Sequence, residues 1–340
     1  NSGHVRVYEW NGSAWLQKGS DIDGEASGDR SGQSVSISSD GSIVAIGADY
    51  NDGNGSNSGH VRVYEWNGSA WVQRGIDIDG EASFDYSGTS VSLSSDGSIV
   101  AIGAGNNDGN GSNSGHVRVY EWNGLAWNKK GFDINGEAAN DYSGYSLSLS
   151  SDGSIVAIGA LNNDGNGSNS GHVRVYQWYK GDLGFSFWKQ LGGDIDGEIS
   201  GDKSGSSVSL SSDGSVVAIG APDNSDGLGR GHVRVYDWNG TIWSQVGSDL
   251  DGKWGVEFGT SVALNDDGKF ISVGSPHFSK GLTEVFQYVD GYWKNMAYLA
   301  GEGSFDYSGK VTAISGNGSI VVTSSNENDG NVQNNFTNDV

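Results

Sequence analysis

"SGHVRVYEWNGSAW" fills residues 2–15, and the same letters return from Ser58. Close variants begin at Ser114 ("SGHVRVYEWNGLAW"), Ser170 ("SGHVRVYQW") and Arg230 ("RGHVRVYDWNGTIW"). Within the phrase Val5 and Val7 alternate with His4, Arg6, Tyr8 and Trp10, which is the two-residue period of a strand. Asn11-Gly12 then signals a tight turn into a second strand, "AWLQKG".

Working outward, the glycine of this phrase stands at Gly3, Gly59, Gly115, Gly171 and Gly231, with a degraded copy at Gly281, so the spacings are 56, 56, 56, 60 and 50. A second phrase, "SGxSxSLSSDGSIVAIGA" in its commonest form, starts at Ser31, Ser87, Ser143 and Ser204. It recurs in altered form from Phe258 and Ser308. It supplies two more strands joined at a tight Asp-Gly hairpin such as Asp40-Gly41. Six units of about 56 residues, four strands each, predict an all-β fold, a β-propeller. A blade with two apolar faces cannot bury them alone, and flanking blades can. The chain opens with the last two strands of a unit and ends after the first two. The expectation is therefore one domain over 1–340, six four-stranded blades, and a ring closed by a blade shared between the two ends. Seven blades is the alternative if the natural chain is longer.

Composition narrows the function. The chain holds 57 Gly, 2 Pro and no Cys, and its net charge is −23. That charge excludes a nucleic-acid partner, which needs a basic patch, and disfavours anionic membrane surfaces. No apolar run is long enough to insert in a membrane. The absence of cysteine removes disulfides and thiol chemistry. The chain starts inside a repeat, so a mature or excised piece of a longer protein is expected, and the expected location is extracellular or at the cell surface.

"FGTSVALNDDGKFISVGSP" from Phe258 and "GAP" at Gly220–Pro222 resemble the FG-GAP repeats of the integrin α-subunit type of β-propeller. The recurrent core resembles a branch found in large surface proteins of microbes and algae. The resemblance implies an adhesive or binding propeller. One departure matters: the family's calcium loop, Asp-x-Asp-x-Asp-Gly-x-x-Asp, is replaced by "SSDGS", as at Ser38–Ser42. One carboxylate cannot supply the 6–8 oxygens calcium takes, so that site does not transfer.

The acidic loops are the candidate metal ligands, with calcium as the candidate ion: Asp21, Asp23, Glu25 and Asp29; Asp77, Asp79, Glu81 and Asp85; Asp194, Asp196, Glu198 and Asp202. Turn-capping by the same carboxylates is the competing reading. The Asn-rich "NNDGNGSNSG" loops read as hydrogen-bonded hairpin loops. Trp10 and Trp15, Trp66 and Trp71, and their later counterparts read as packing pairs across a hairpin. The recurring His and Arg of "GHVRVY" read as structural, with the arginines paired to the acidic loops. An insertion in the fourth unit breaks the pattern, and Tyr179, Lys180, Asp182, Phe185, Phe187 and Trp188 are the candidate partner-binding residues. Asn11, Asn54, Asn67, Asn110, Asn166, Asn239, Asn317 and Asn335 head glycosylation sequons.

No nucleophile–base set, "GxSxG" or "HExxH" is present, so no enzyme is expected. The expected function is an extracellular binding or adhesion module recognising a protein or glycan through one ring face. The alternative is a structural subunit or spacer contacting copies of itself in a filament or coat. A carbohydrate-active enzyme ranks last.

Overall fold

The computed structural model describes residues 2–181, 184–224, 229–253, 257–303 and 305–325. Every regular element among them is a β-strand. Five sheets share one antiparallel order. The first runs Ser34–Ile37, Ile43–Ala48, His60–Trp66, Trp71–Gln73. The same order begins again at Ser90, Ser143, Ser207 and Ser261. This is the propeller architecture expected from the repeat. Each blade takes its inner two strands from one "SVSLSS…VAIGA" phrase and its outer two from the following "GHVRVY" phrase.

The outermost strand comes in two pieces. In four sheets a short second piece, Ile78–Asp79 in the first, pairs with the start of the third strand through His60↔Asp79 and Val61↔Ile78. Residues 74–77 leave the ladder between the pieces and carry Asp77 to the side of His60.

Burial explains the strand sequences. Ile43–Ala48 is buried at all six positions, as a strand covered on both faces must be. In the third strand the apolar Val61 and Val63 and the polar His60 and Arg62 are all buried. The alternation of "HVRVY" thus sorts side chains between two blade interfaces rather than between core and water. One such interface joins Ile99, Ala101, Val117 and Val119 to Leu147, Leu149, Val156 and Ile158 of the next blade. Each fully buried aliphatic side chain there contributes about 1.5–3 kcal/mol.

Two backbone devices hold neighbouring blades together. A Cβ on Gly103 would lie 2.1 Å from the carbonyl oxygen of Gly144, whose own φ is +87°. Ser90 Oγ donates to that same carbonyl at 2.8 Å. The glycines of "SG" and "VAIGA" are thus required by direct contact between backbones. At the hairpin tips, Ser39 N–H donates to the carbonyl of Ser95 at 2.9 Å, Ser95 to Ser151 at 2.8 Å and Ser151 to Ser212 at 2.8 Å. Ser212 continues to Asp266 at 2.9 Å, and Asp266 to Gly316 at 3.0 Å, so one hydrogen bond steps from each unit to the next.

The end segments form separate two-stranded sheets: His4–Val5 with Ile22–Asp23, Tyr8–Trp10 with Trp15–Gln17, and Thr312–Ile314 with Val321–Thr323. Among the described residues no ladder pair joins Val321–Thr323 to the N-terminal strands. The described ladders make five complete blades, and the shared sixth blade remains an expectation.

Candidate functional site

In the loops at 21–29 and 77–85 the acids diverge rather than converge, and in the loop at 194–202 only Glu198 and Asp202 share a grouping. Asp21 is gripped by Arg6 Nε and Nη2 at 3.0 Å and by Gln17 Nε2 at 2.7 Å, and the Arg6 hydrogen bond holds its carboxyl below the usual range. Asp29 is buried and accepts from the Ala26 amide and from Asn51 Nδ2. Asp85 accepts likewise from Ala82 and Asn107, and Asp202 from Glu198, Ile199 and Asn224. Asp23, Asp79 and Asp196 give their backbone carbonyls to Arg62, Arg118 and Arg234 of the following units.

The remaining acids meet across units, around the histidine that opens the third strand. Glu25 of one unit faces His60 and Asp77 of the next, with ligand atoms all within 4.8 Å of one another. Glu81, His116 and Asp133 repeat the cluster, as do Glu137, His172 and Asp194. Each arginine two residues past the histidine holds the outer oxygen of the glutamate, as Arg62 Nη1 does Glu25 Oε1 at 3.6 Å. These histidines, read from sequence as structural, are therefore the centres of acidic clusters. Loop-by-loop reading missed them because their partners come from two different units.

At His232 the cluster opens. Glu198 Oε2 lies 3.6 Å from His232 Nδ1, and Gln245 Nε2 donates to Asp249 Oδ1 at 2.5 Å. Here Glu198 and Asp249 fall in two different groupings around the imidazole, one with Asp202 and one with Asp251. Between them is a cleft of about 300 Å³, lined also by Arg230 and Asn224. Arg230 stands where the earlier copies have Ser58, Ser114 and Ser170. His232 is 2 % exposed, and burial, reinforced by Arg234, pulls its pKa down, so the imidazole is neutral at neutral pH. A neutral imidazole among carboxylates, with an arginine in the same cleft, can accept a proton from water and stabilise an anion.

The fourth-unit insertion extends a hairpin, Tyr179 opposite Phe187 and Lys180 opposite Ser186. The Tyr179 and Phe187 rings lie 5.5 Å apart, and Phe185 is exposed. Trp188 instead packs against the blade interface and donates its indole N–H to the carbonyl of Lys130. Asp182 lies outside the described residues.

Among the sequons, Asn54, Asn110 and Asn166 use Nδ2, the atom a glycan would occupy, to donate to two carbonyls each of the following acidic loop. Asn11, Asn67, Asn239 and Asn317 instead accept turn amides on Oδ1. Asn335 lies outside the described residues.

Residues 21–64 and 135–176 match the family model for the FG-GAP repeat. Comparison with curated protein sequences gives no match. Among solved structures, the Pseudomonas aeruginosa periplasmic gluconolactonase PpgL superposes with a TM-score of 0.61 at 15% identity, over 96% of this chain and 86% of that one. A Bacteroides uniformis protein provisionally described as a 6-phosphogluconolactonase gives 0.60 at 12% identity, over 92% and 85%. A functionally unknown protein of Desulfotomaculum acetoxidans gives 0.60 at 13% identity, over 96% and 87%. At these identities the likeness establishes the fold. Two of these neighbours bear the names of lactonases, and this finding counts against the expected adhesion module or coat subunit.

Proposed function

We propose that the chain is a hydrolase of small neutral lactones and that its active site is the cleft at His232. The observation that carries this reading is the buried, neutral imidazole facing Glu198, with Arg230 in the same cleft and in no other copy of the repeat. The lactonase names of the structural neighbours support the reaction class. In the proposed step His232 takes a proton from a water molecule as the water oxygen bonds to the lactone carbonyl carbon. Arg230 faces the negative charge that develops on the carbonyl oxygen. Collapse breaks the ring C–O bond, and His232 returns the proton to the leaving oxygen, giving a hydroxy acid. Glu198 steadies the transient imidazolium.

Glu198, Asp249 and Asp251 make the cleft rich in negative charge, which disfavours a phosphorylated substrate and favours an uncharged one. The test is a pH-stat assay with glucono-δ-lactone and its 6-phosphate. Turnover of the neutral lactone is expected, reduced about 100-fold or more in His232→Gln, the usual scale for a lost general base. Hydrolysis no faster than in buffer, or an unimpaired His232→Gln, would refute the proposal.

A further inference from the structure

The closed clusters at His60 and His172 have a different geometry from the cleft. Each histidine is 1 % exposed, and its Nδ1 has no hydrogen-bond partner. His60 Nδ1 looks at Glu25 Oε2 from 3.9 Å and at Asp77 Oδ2 from 3.7 Å. His172 Nδ1 looks at Glu137 Oε2 from 3.8 Å and at Asp194 Oδ2 from 3.9 Å. These separations are too long for hydrogen bonds. They lie a few tenths of an ångström beyond the edge of about 3.4 Å that a tetrahedral ion with bonds of about 2.1 Å requires.

The other oxygen of every carboxylate is already held. Arg62 Nη1 takes Glu25 Oε1 at 3.6 Å, and Arg174 Nη1 takes Glu137 Oε1 at 3.4 Å. Gln73 Nε2 donates to Asp77 Oδ1 at 2.6 Å, and Gln190 Nε2 to Asp194 Oδ1 at 2.7 Å. One oxygen is anchored from outside and its twin is turned toward the imidazole, which is how outer partners orient metal ligands.

The intervening unit supplies an internal comparison. At Glu81, His116 and Asp133 the position of Gln73 and Gln190 is taken by Lys129. Its ammonium lies 2.5 Å from Asp133 Oδ1 and 3.9 Å from Glu81 Oε1. Where the chain lacks the neutral glutamine, it sets a cation of its own against the outer oxygens of the same two carboxylates, Glu81 Oε2 still facing His116.

We infer that Glu25, His60 and Asp77, and equally Glu137, His172 and Asp194, are binding sites for a zinc-like divalent ion bridging adjacent units, and that the charge of Lys129, set against the same carboxylates, takes the place of an ion in the unit between. One imidazole nitrogen and two carboxylate oxygens suit zinc with a fourth, open position. Calcium and magnesium, which prefer all-oxygen shells, are poorer fits. The inference is independent of the hydrolase reading, which concerns His232.

The test is equilibrium dialysis of the full chain against zinc alone, with excess magnesium saturating oxygen-only sites, and metal counted by atomic emission. The double variant Glu25→Gln/Glu137→Gln changes two partly exposed side chains, so its fold is expected to persist, as circular dichroism would verify. It should bind two equivalents fewer than the wild type. His172→Gln should bind one fewer, and Lys129→Gln one more. Equal zinc counts in the wild type and the double variant would overturn the two sites. An unchanged count in Lys129→Gln would overturn the role given to the lysine.

Discussion

The indole N–H of Trp127 donates to the backbone carbonyl of Arg74, in the preceding unit, at 2.7 Å. Trp71, Trp188, Trp243 and Trp293 do the same to Lys18, Lys130, Leu191 and Val246. The ring stands over Gly75, where a Cβ would lie 3.1 Å from Trp127 and 2.9 Å from its hairpin partner Trp122. The tryptophan pairs are thus packing pairs across the hairpin, and the second of each pair also ties its blade to the one before.

Trp127→Phe should keep most of the ring contact and lose the hydrogen bond, lowering stability by about 1 kcal/mol. Trp127→Ala should cost about 3 kcal/mol or more, because it also removes the ring. Urea denaturation separates the two. Equal losses would mean that the N–H contributes nothing.

Asp85 illustrates an acid whose work is structural. It is 3 % exposed and accepts from the Ala82 amide and Asn107 Nδ2, each at 3.0 Å. Asp85→Ala strands both donors, and a cost of about 2–4 kcal/mol is expected. Asp85→Asn keeps one acceptor oxygen and should cost less. A thermal melt of the two variants checks the order, and equal midpoints would contradict it.

Acid should loosen the hairpin tips. Hydrogen bonds from Ser38, then from Ser42, hold the Asp40 carboxyl down at about 2. At Asp96 burial pushes the carboxyl up, but the bonds from Ser94 and Ser98 outweigh it and the net shift is downward. A folded pKa below the unfolded value of about 3.9 gives stability that is complete above that pH. It is lost as the pH falls from there through the folded value. The wild-type melting midpoint should therefore drop between about pH 4 and pH 2. Asp40→Asn, which cannot titrate, should show a shallower fall over that range, and parallel curves would refute the assignment.

The fold was legible because its determinants are local and repeated. Alternation in "HVRVY", the Asp40-Gly41 hairpin and the recurrence of both phrases each fix a strand or a turn within a few residues. The acidic site was legible only in part. Asp21, Glu25 and Asp29 sit on one loop in the sequence, yet Asp21 turns to Arg6, Asp29 to Asn51 and Glu25 to His60 of the next unit. Spacing along the chain cannot report a meeting between residues brought together by the stacking of blades. Two signals were present: a histidine at a fixed place in every full copy, and Lys129 standing where its neighbours have glutamine. The enzyme reading was harder still, since it rests on a single departure from the repeat.

That departure is Arg230, and it permits a direct test of the cleft. Arg230→Ser restores the residue found at Ser58, Ser114 and Ser170, so the backbone there is already known to accept it. If the arginine stabilises the oxyanion, this variant should lose about 100-fold in kcat with the fold intact, the scale of a lost oxyanion donor. A rise in KM alone would assign Arg230 to substrate binding rather than to the transition state. Ser114→Arg should bring no new activity, because the cluster at His116 is closed and already carries the Lys129 ammonium against its carboxylates. Full activity in Arg230→Ser would remove the residue on which the choice of this unit rests, and with it the reason to place catalysis at His232.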